Sequence, residues 1–204
     1  VYNGDSNGGC EMNDRERALE AWKKHNDDDY LYRHALSVEA AMRWWARKYG
    51  EDEDYWGCVG LLHDIDFQKH PDEHLAHSAG MLEEAGCGAD FIRAVNSHGF
   101  GICTDVEPVH IMEKVLYAVD ELTGFIYACA LIRPSKSLDD LETKSVLKRM
   151  KTPAFATKID REVIRNGAGM LAAVTPGFSL DDLISGTIEA LRPVGREIGL
   201  QTVA

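Results

Sequence analysis

Apolar residues recur at spacings of three and four along most of the chain, which is the repeat of an α-helix with one buried face. In one such segment Leu31, Val38 and Trp45 fall on the same side of a helix that Gly50 ends. No window shows the sustained apolar–polar alternation that is typical of a half-buried strand. The pattern therefore predicts an all-α fold. The predicted helices are residues 14–25, 30–49, 53–63, 71–86, 90–97, 108–132, 138–151, 161–173 and 180–198.

Length and composition indicate one globular domain. The chain has 204 residues, 45% of them apolar, which is enough for a sizeable core. We expect this helical domain to span residues 14–204. Residues 1–13 hold four Gly or Ser and three Asn without a basic or apolar signal segment, and are predicted to be a disordered leader or a cloning remnant. No run of 18 apolar residues occurs, so no membrane-spanning segment is predicted.

Charge and cysteine content narrow the choice of partner and compartment. The chain has 34 Asp and Glu against 22 Lys and Arg, a formal net charge of -12. A surface of this sign repels phosphate backbones, so broad nucleic-acid binding is disfavoured and a small ligand is favoured. The five cysteines are odd in number and none are spaced as Cys-x-x-Cys, which argues against disulfides and a thiolate zinc site. We therefore predict a cytoplasmic protein. The sequence does not predict its oligomeric state.

Six His and Asp residues lie beside apolar helical sequence. His63 and Asp64 are adjacent, and neighbouring positions of a helix point in different directions, so both join one site only if other helices close around them. The residues available as partners are His34, His74, His98 and Asp120. Each has an ordinary explanation when taken alone, such as a hydrogen-bonded core histidine or a helix-end charge. Together they favour a metal centre inside a helical bundle, because a cation offsets the several kcal/mol that an unpaired buried carboxylate costs.

Three parts of the sequence also carry a family resemblance: RHALSV at residues 33–38, LLHDID at residues 61–66, and Asp120 within its long apolar helix. They resemble the motifs of the HD superfamily of metal-dependent phosphohydrolases, over roughly residues 14–192. The segments PDEH at residues 71–74 and SHG at residues 97–99 are similar to a dinuclear-type bacterial and archaeal HD group. The resemblance implies an HD-type helical bundle.

The resemblance also implies a ligand set. The implied ligands are His34, His63, Asp64, His74, His98 and Asp120. His74 and His98 mark the second of two ions, Asp64 bridges the pair, and His77 is a reserve candidate. Imidazole with carboxylate suits one or two divalent transition metal ions; iron or manganese is favoured, and zinc, cobalt and nickel are further candidates. Open coordination positions would let a bound water become hydroxide near neutral pH.

Other residues near the His63-Asp64 pair are assigned supporting roles. Asp66 and Lys69 follow it closely and are predicted to act, with Asp64, as catalytic residues, either as general acid or by orienting a leaving group. An ordinary loop position is the alternative for Asp66. Glu73 is predicted to orient a ligand histidine. His77 lies three residues after His74, on the same face of the predicted helix, and has the same supporting role.

A basic segment is the candidate for substrate binding. Residues 133–151 hold six Lys or Arg against three Asp or Glu in an otherwise acidic chain. Arg133, Lys136 and Lys144 are predicted to contact a phosphate. The alternative is a solvated basic helix face with no ligand.

The leading hypothesis is a metal-dependent phosphohydrolase that acts on a small phosphate ester or nucleotide through metal-bound hydroxide. A mixed-valent diiron oxygenase of the same fold is the first alternative, because its ligand set overlaps. A non-catalytic metal-binding sensing module is the second, although such modules usually lack some of the ligands.

Overall fold

Nine α-helices and two short 3₁₀-helices form the regular structure of residues 12–202, which are the residues described by the computed structural model. Within this range the only β-type pairings are isolated bridges, so the prediction of an all-α fold is confirmed. The α-helices are α1 Arg15–His25, α2 Asp29–Tyr49, α3 Glu53–Leu62, α4 Ser78–Glu84, α5 Ala89–Ser97, α6 Ile111–Leu131, α7 Thr143–Met150, α8 Arg161–Val174 and α9 Leu180–Leu191. The 3₁₀-helices are Pro71–Glu73 and Arg192–Val194.

Helix α6 lies at the centre of the bundle. Its side chains are buried on several faces, from Met112 to Ala130, which explains why its sequence is apolar nearly all round. Helix α2 packs against α3, α6 and α9, and α8 packs on another side of α6. The mutual contact of α2 with α3 and α6 brings residues from three distant parts of the sequence to one place.

Acidic residues begin most of the long helices. The side-chain oxygens of Asp14, Asp28, Asp52 and Asp160 each accept a hydrogen bond from a backbone N–H in the first turn of the helix that follows. Such caps satisfy N–H groups that have no partner within the helix. Helix α2 ends, as predicted, at Gly50, which has the left-handed conformation. Part of the acidic excess therefore serves to delimit helices.

The single helix predicted for residues 71–86 is wrong. Pro71–Glu73 forms one 3₁₀ turn, a non-helical segment follows, and α4 starts only at Ser78. Leu75 has a φ of +66°, a left-handed conformation that an α-helix does not contain. His74 and His77 consequently do not share a helix face. The spacing of apolar residues could not show that His74 turns towards partners contributed by other helices.

Three further helix boundaries differ from the prediction. Helix α6 starts at Ile111 because His110 and Glu113 form a capping box there, three residues after the predicted start. Helix α7 starts at Thr143 rather than residue 138. Helix α9 gives way to a 3₁₀ turn at Arg192, next to a proline that cannot continue an α-helix.

The predicted leader falls almost entirely outside the described residues, since residues 1–11 are not among them. Met12, at its end, is buried and belongs to the hydrophobic core. A membrane crossing would need a longer or more apolar helix than any within residues 12–202.

Helices α6 and α8 approach closely at Gly167. A Cβ atom there would lie 2.6 Å from both the Cα and the Cβ of Ala118, so the helices would have to separate. We expect Gly167→Ala to lower the free energy of unfolding by about 1–3 kcal/mol. Gly169, on the same helix, is the matched control because nothing lies within 4 Å of the position that its Cβ would occupy. Gly169→Ala should raise stability by about 0.5–1 kcal/mol. Urea denaturation of both variants measures the difference, and equal stability would contradict the tight crossing.

Candidate metal centre

Four side chains from three parts of the fold meet where α2, α3 and α6 pack together. They are His34 on α2, His63 at the end of α3, Asp64 in the following turn, and Asp120 in the middle of α6. The Nε2 atom of His34 lies 3.1 Å from His63 Nε2 and 3.0 Å from Asp120 Oδ1. The Oδ2 atom of Asp64 lies 3.6 Å from His34 Nε2 and 3.4 Å from His63 Nε2. Both carboxylates therefore approach the Nε2 atoms of the same two histidines.

A second group of donor atoms lies on the other side of Asp64. His98, at the end of α5, and His74, in the turn before α4, place their Nε2 atoms 3.1 Å apart. The Oδ1 atom of Asp64 lies 3.2 Å from His74 Nε2 and 3.5 Å from His98 Nε2. The two oxygens of Asp64 therefore face two different pairs of histidines.

The spacing of the donor atoms fits metal ions. Two ligand atoms about 2.0–2.2 Å from one ion are about 2.8–3.6 Å apart at tetrahedral to octahedral angles. The separations that involve the histidine Nε2 atoms, 3.0 to 3.6 Å, lie in this range. Two pairs of imidazole nitrogens face each other directly, and a divalent cation at each pair would satisfy all the converging lone pairs. The donor atoms thus form two groups that share Asp64, and each group has residue types and spacings compatible with a metal ion.

Neighbouring polar groups hold the histidine rings in the required orientation. The Nδ1 of His63 donates to the carbonyl oxygen of Gly60 at 2.8 Å, and that of His98 donates to Val95 at 2.6 Å. The Nδ1 of His74 donates to Asp66 Oδ1 at 3.0 Å. Each bond places the proton on Nδ1 and leaves Nε2 free to bind a metal ion.

The electrostatics of the metal-free centre reflect this crowding. Burial alone would raise the pKa of Asp64, but the charge of His63 and hydrogen bonds from the histidines hold it well below its usual range. Asp120 behaves similarly, because hydrogen bonds from His34 and His63 outweigh its burial and lower its pKa. Burial opposes protonation of His74, yet Asp64 and Asp66 raise its pKa to about 9. Without metal, protons take the place of cations between the carboxylates and the imidazoles.

A family comparison agrees with this geometry. Residues 31–124 match the family model described as HD domain, and the span includes all six converging residues. This part of the chain is therefore similar to an HD domain. HD domains are typically metal-dependent hydrolases that bind divalent metal ions. No curated protein sequence and no solved structure matches the chain significantly.

The protonation of His74 predicts a pH dependence for metal binding by the HD domain. Its pKa of about 9 exceeds the ordinary value, so a proton must leave before Nε2 can bind an ion at pH 7. We expect the affinity of the His74–His98 pair to rise about tenfold per pH unit from pH 7 to 9 and then to level off. In the metal-free protein, the stability that this proton contributes is full below about pH 6.5 and is lost as the pH rises through about 9.

Calorimetric zinc titrations in buffers of different ionisation enthalpy count the protons released on binding. About one proton per ion is expected at the His74–His98 pair at pH 7, and an affinity that does not change between pH 7 and 9 would contradict the assignment.

Asp66 and Lys69 do not face the HD centre as catalytic groups would. Asp66 is fully buried, and its two oxygens accept hydrogen bonds from His74 Nδ1 and from the backbone N–H of His77. The Lys69 Nζ atom lies 3.2 Å from His25 Nδ1, so this side chain is directed towards α1. The structure thus places Asp66 to orient His74 and gives Lys69 no place beside the donor atoms.

Glu73 and His77 are directed away from the ligand histidines. The Oε2 atom of Glu73 lies 3.1 Å from His77 Nε2, and both side chains are exposed. The prediction that they orient a ligand histidine through their side chains is therefore not supported. Of these two residues, only His77 helps to orient His74, and it does so through its backbone. Its N–H donates to Asp66, which in turn accepts a hydrogen bond from His74.

The basic residues expected to bind phosphate lie elsewhere. Arg133 forms an ion pair with Asp140 at 2.7 Å, and Lys144 forms one with Glu142 at 2.7 Å. Arg133 follows Asp120 by thirteen residues, which is about 20 Å at the rise of an α-helix. Among the described residues, neither these two nor Lys136 belongs to the ligand groups or to the cleft beside His34. The alternative of a solvated basic segment is thus better supported.

The sequence reasoning missed a cleft that opens beside His34. Its lining includes Arg33 and Ser37 on α2, and Thr123 and Tyr127 on α6. Helical spacing contained the signal, because Arg33 and Ser37 flank His34 on one side of α2. Thr123 and Tyr127 follow Asp120 by about one and two turns.

The sequence reasoning also assigned no role to Glu121, which is next to Asp120. Burial, followed by the charge of Asp120, raises the pKa of Glu121 to about 7.

Proposed function

We propose that the protein is a metal-dependent phosphohydrolase acting on a small phosphate ester or nucleotide. The proposal rests on the position of Asp64. One of its carboxylate oxygens faces the His34–His63 pair, and the other faces the His74–His98 pair. When bound, two divalent ions at these pairs supply Lewis-acid polarisation of a phosphoryl oxygen and lower the pKa of a water molecule. The family supports metal-dependent hydrolysis in general, and the phosphate ester is our inference.

The centre has a closed side and an open side. The side chains of His63 and His98 are 0% and 4% exposed, whereas those of His34 and Asp120 are each 21% exposed. The side chains of His74 and Asp64 are 17% and 16% exposed. A substrate would therefore approach over these four residues, and the cleft lies beside His34. The buried histidines, oriented by their hydrogen bonds to carbonyl oxygens, would hold the ions from the closed side.

Arg33 is the residue best placed to hold an anionic group at this opening. It lines the cleft next to His34, and its exposed guanidinium has no ion-pair or hydrogen-bond partner within residues 12–202. The guanidinium also lies beside the backbone of Gly199, where an added Cβ would be 2.7 Å from one of its nitrogens. An arginine held in this way can present its planar N–H groups to a phosphate.

The proposal is tested by supplying purified protein with manganese or iron and measuring phosphate release from a panel of nucleotides and phosphomonoesters. Turnover of at least one compound that stops when a chelator removes the metal is the expected result. Absence of turnover on every compound, with metal bound at full occupancy, would overturn the proposal. The same panel is run with an oxygen electrode, because oxygen uptake without phosphate release would indicate a diiron oxygenase instead. Metal binding with neither reaction would favour a sensing module.

Arg33→Ala should weaken substrate binding. We expect KM to rise about tenfold with a smaller change in kcat, because one charge-assisted contact contributes about 1.5–3 kcal/mol. Arg47→Ala is the matched control, since Arg47 is also an exposed arginine on α2 but pairs with Glu53. Steady-state kinetics on the best phosphate ester of the panel measures both variants. Equal KM values for Arg33→Ala and the unmodified protein would remove Arg33 from the substrate site.

A further inference from the structure

A second group of metal-binding side chains lies outside the centre, on the turn between α3 and α4. His70, Glu73 and His77 each offer one ligand atom, and these three atoms lie within 4.8 Å of one another. The His70 and His77 rings stack with centroids 3.9 Å apart and planes 25° from parallel. The Nε2 of His77 lies 3.1 Å from the Glu73 carboxylate. The group is open to solvent, with the Glu73 and His77 side chains 68% and 42% exposed.

The backbone of this turn directs the side chains of neighbouring residues to opposite sides. The 3₁₀ turn returns Glu73 to His70, with its N–H donating to the His70 carbonyl oxygen at 3.0 Å. Leu75 then adopts its left-handed conformation and is itself buried. As a result His74 points into the centre, while Glu73 and His77 stay in solvent. The unusual φ of a non-glycine residue thus separates an inner ligand from an outer group.

The composition of the outer group suits a transition metal ion. Two imidazoles and one carboxylate are the ligand set of many zinc, nickel, cobalt and copper sites, and three protein ligands leave positions for water. In a bound state the ligand atoms would lie about 3.3 Å apart, so the His70 and His77 rings would have to rotate out of their stacked arrangement.

A single buried carboxylate joins the outer group to the centre. The Oδ2 of Asp66 accepts the backbone N–H of His77 at 3.2 Å, and its Oδ1 accepts the Nδ1–H of His74 at 3.0 Å. Fixing the turn at His77 therefore fixes the carboxylate that orients His74. Coupling of this kind is reciprocal, so an ion at either place would favour an ion at the other.

We propose that His70, Glu73 and His77 form an outer site for a divalent transition metal, and that its occupancy strengthens ion binding by His74 and His98. The outer site is weaker than the centre, because it has fewer ligands and more exposure. It would fill only after the centre, and a cell could use it to sense surplus metal.

Isothermal titration of the metal-depleted full chain with zinc tests the outer site. The unmodified protein should bind one more ion than His77→Ala and Glu73→Gln do. Asp72→Asn is the matched control: it removes a neighbouring exposed carboxylate that is not part of the group, and it should bind the same number as the unmodified protein. Equal ion numbers in all four proteins would overturn the proposal.

The coupling is tested in the reciprocal direction, from the affinity of the outer ion, because this ion binds last. The comparison is between the unmodified protein and His98→Ala, in which the His74–His98 pair would lack its ion while the outer group is unchanged. We expect the outer ion to bind about fivefold more weakly in His98→Ala. Equal affinities of the outer ion in the two proteins would overturn the coupling, and circular dichroism confirms that each variant is folded.

Discussion

Asp64→Ala should remove both ions from the centre and lower phosphate-ester hydrolysis by about a thousandfold or more. Each oxygen of Asp64 serves one pair of histidines, so a single substitution removes a ligand from both. It also removes the negative charge that offsets two adjacent cations. Loss of the Lewis-acid contribution, several kcal/mol, corresponds to a rate effect of this size.

Elemental analysis after gel filtration measures the loss of metal, and initial rates with the best substrate measure the loss of activity. Asp64→Asn is the companion variant, because it keeps the side-chain volume and one oxygen. It should retain no more than one ion. Asp72→Ala, at an exposed position, controls for the general loss of an acidic charge. Two tightly bound ions in Asp64→Ala would disprove the bridging role.

His98→Ala should have a different effect, leaving one ion and removing the other. Its Nε2 lies 3.5 Å from Asp64 Oδ1 in the group with His74. His98 also lies near His63 and Asp120, and these two residues and His34 remain in the variant. We expect hydrolysis to fall by about a hundredfold or more, because the polarisation that one ion supplies is lost. The fold should persist, since the lost hydrogen bond to Val95 lies at the end of a helix.

Electron paramagnetic resonance of manganese-loaded protein separates the two states. Two ions bridged by one carboxylate give a spin-coupled spectrum, and a single ion gives the six-line pattern of isolated manganese. His98→Ala should show the six-line pattern, and His25→Gln, a histidine outside the centre, should keep the coupled spectrum. A coupled spectrum in His98→Ala would contradict the assignment of two half-sites.

The sequence predicted the site residues best where these residues lie on regular helices or at their ends. His34 and Asp120 lie on apolar helix faces, and a helix with one buried face places such residues at a shared interior. His63 and His98 end helices whose lengths the apolar spacing predicts well. These regularities, with the family resemblance, were enough to name the six residues that the structure brings together. They were also enough to predict the all-α fold.

The errors arose where tertiary contacts override local pattern. The turn from Pro71 to Ser78 reads as a helix, yet Asp66 and the centre hold His74 in a non-helical position. Arg133 and Lys144 suggested a phosphate site because of their charge. Their acidic partners, Asp140 and Glu142, are close in sequence and neutralise them. Arg33 was overlooked because one arginine forms no cluster, and only the packing of α2 against α6 shows the cleft that it lines.

Two divalent ions bound at the centre would carry more charge than the carboxylates that surround them. The neutral imidazoles contribute no charge, so two divalent ions outweigh the charges of Asp64, Asp120 and the nearby Asp66. An otherwise acidic molecule of net charge -12 then carries one concentrated positive region. An anion that diffuses over the surface is repelled in most places and attracted at the opening beside His34. Two ions bound as proposed would thus guide anionic ligands to the opening, and added salt should slow their capture.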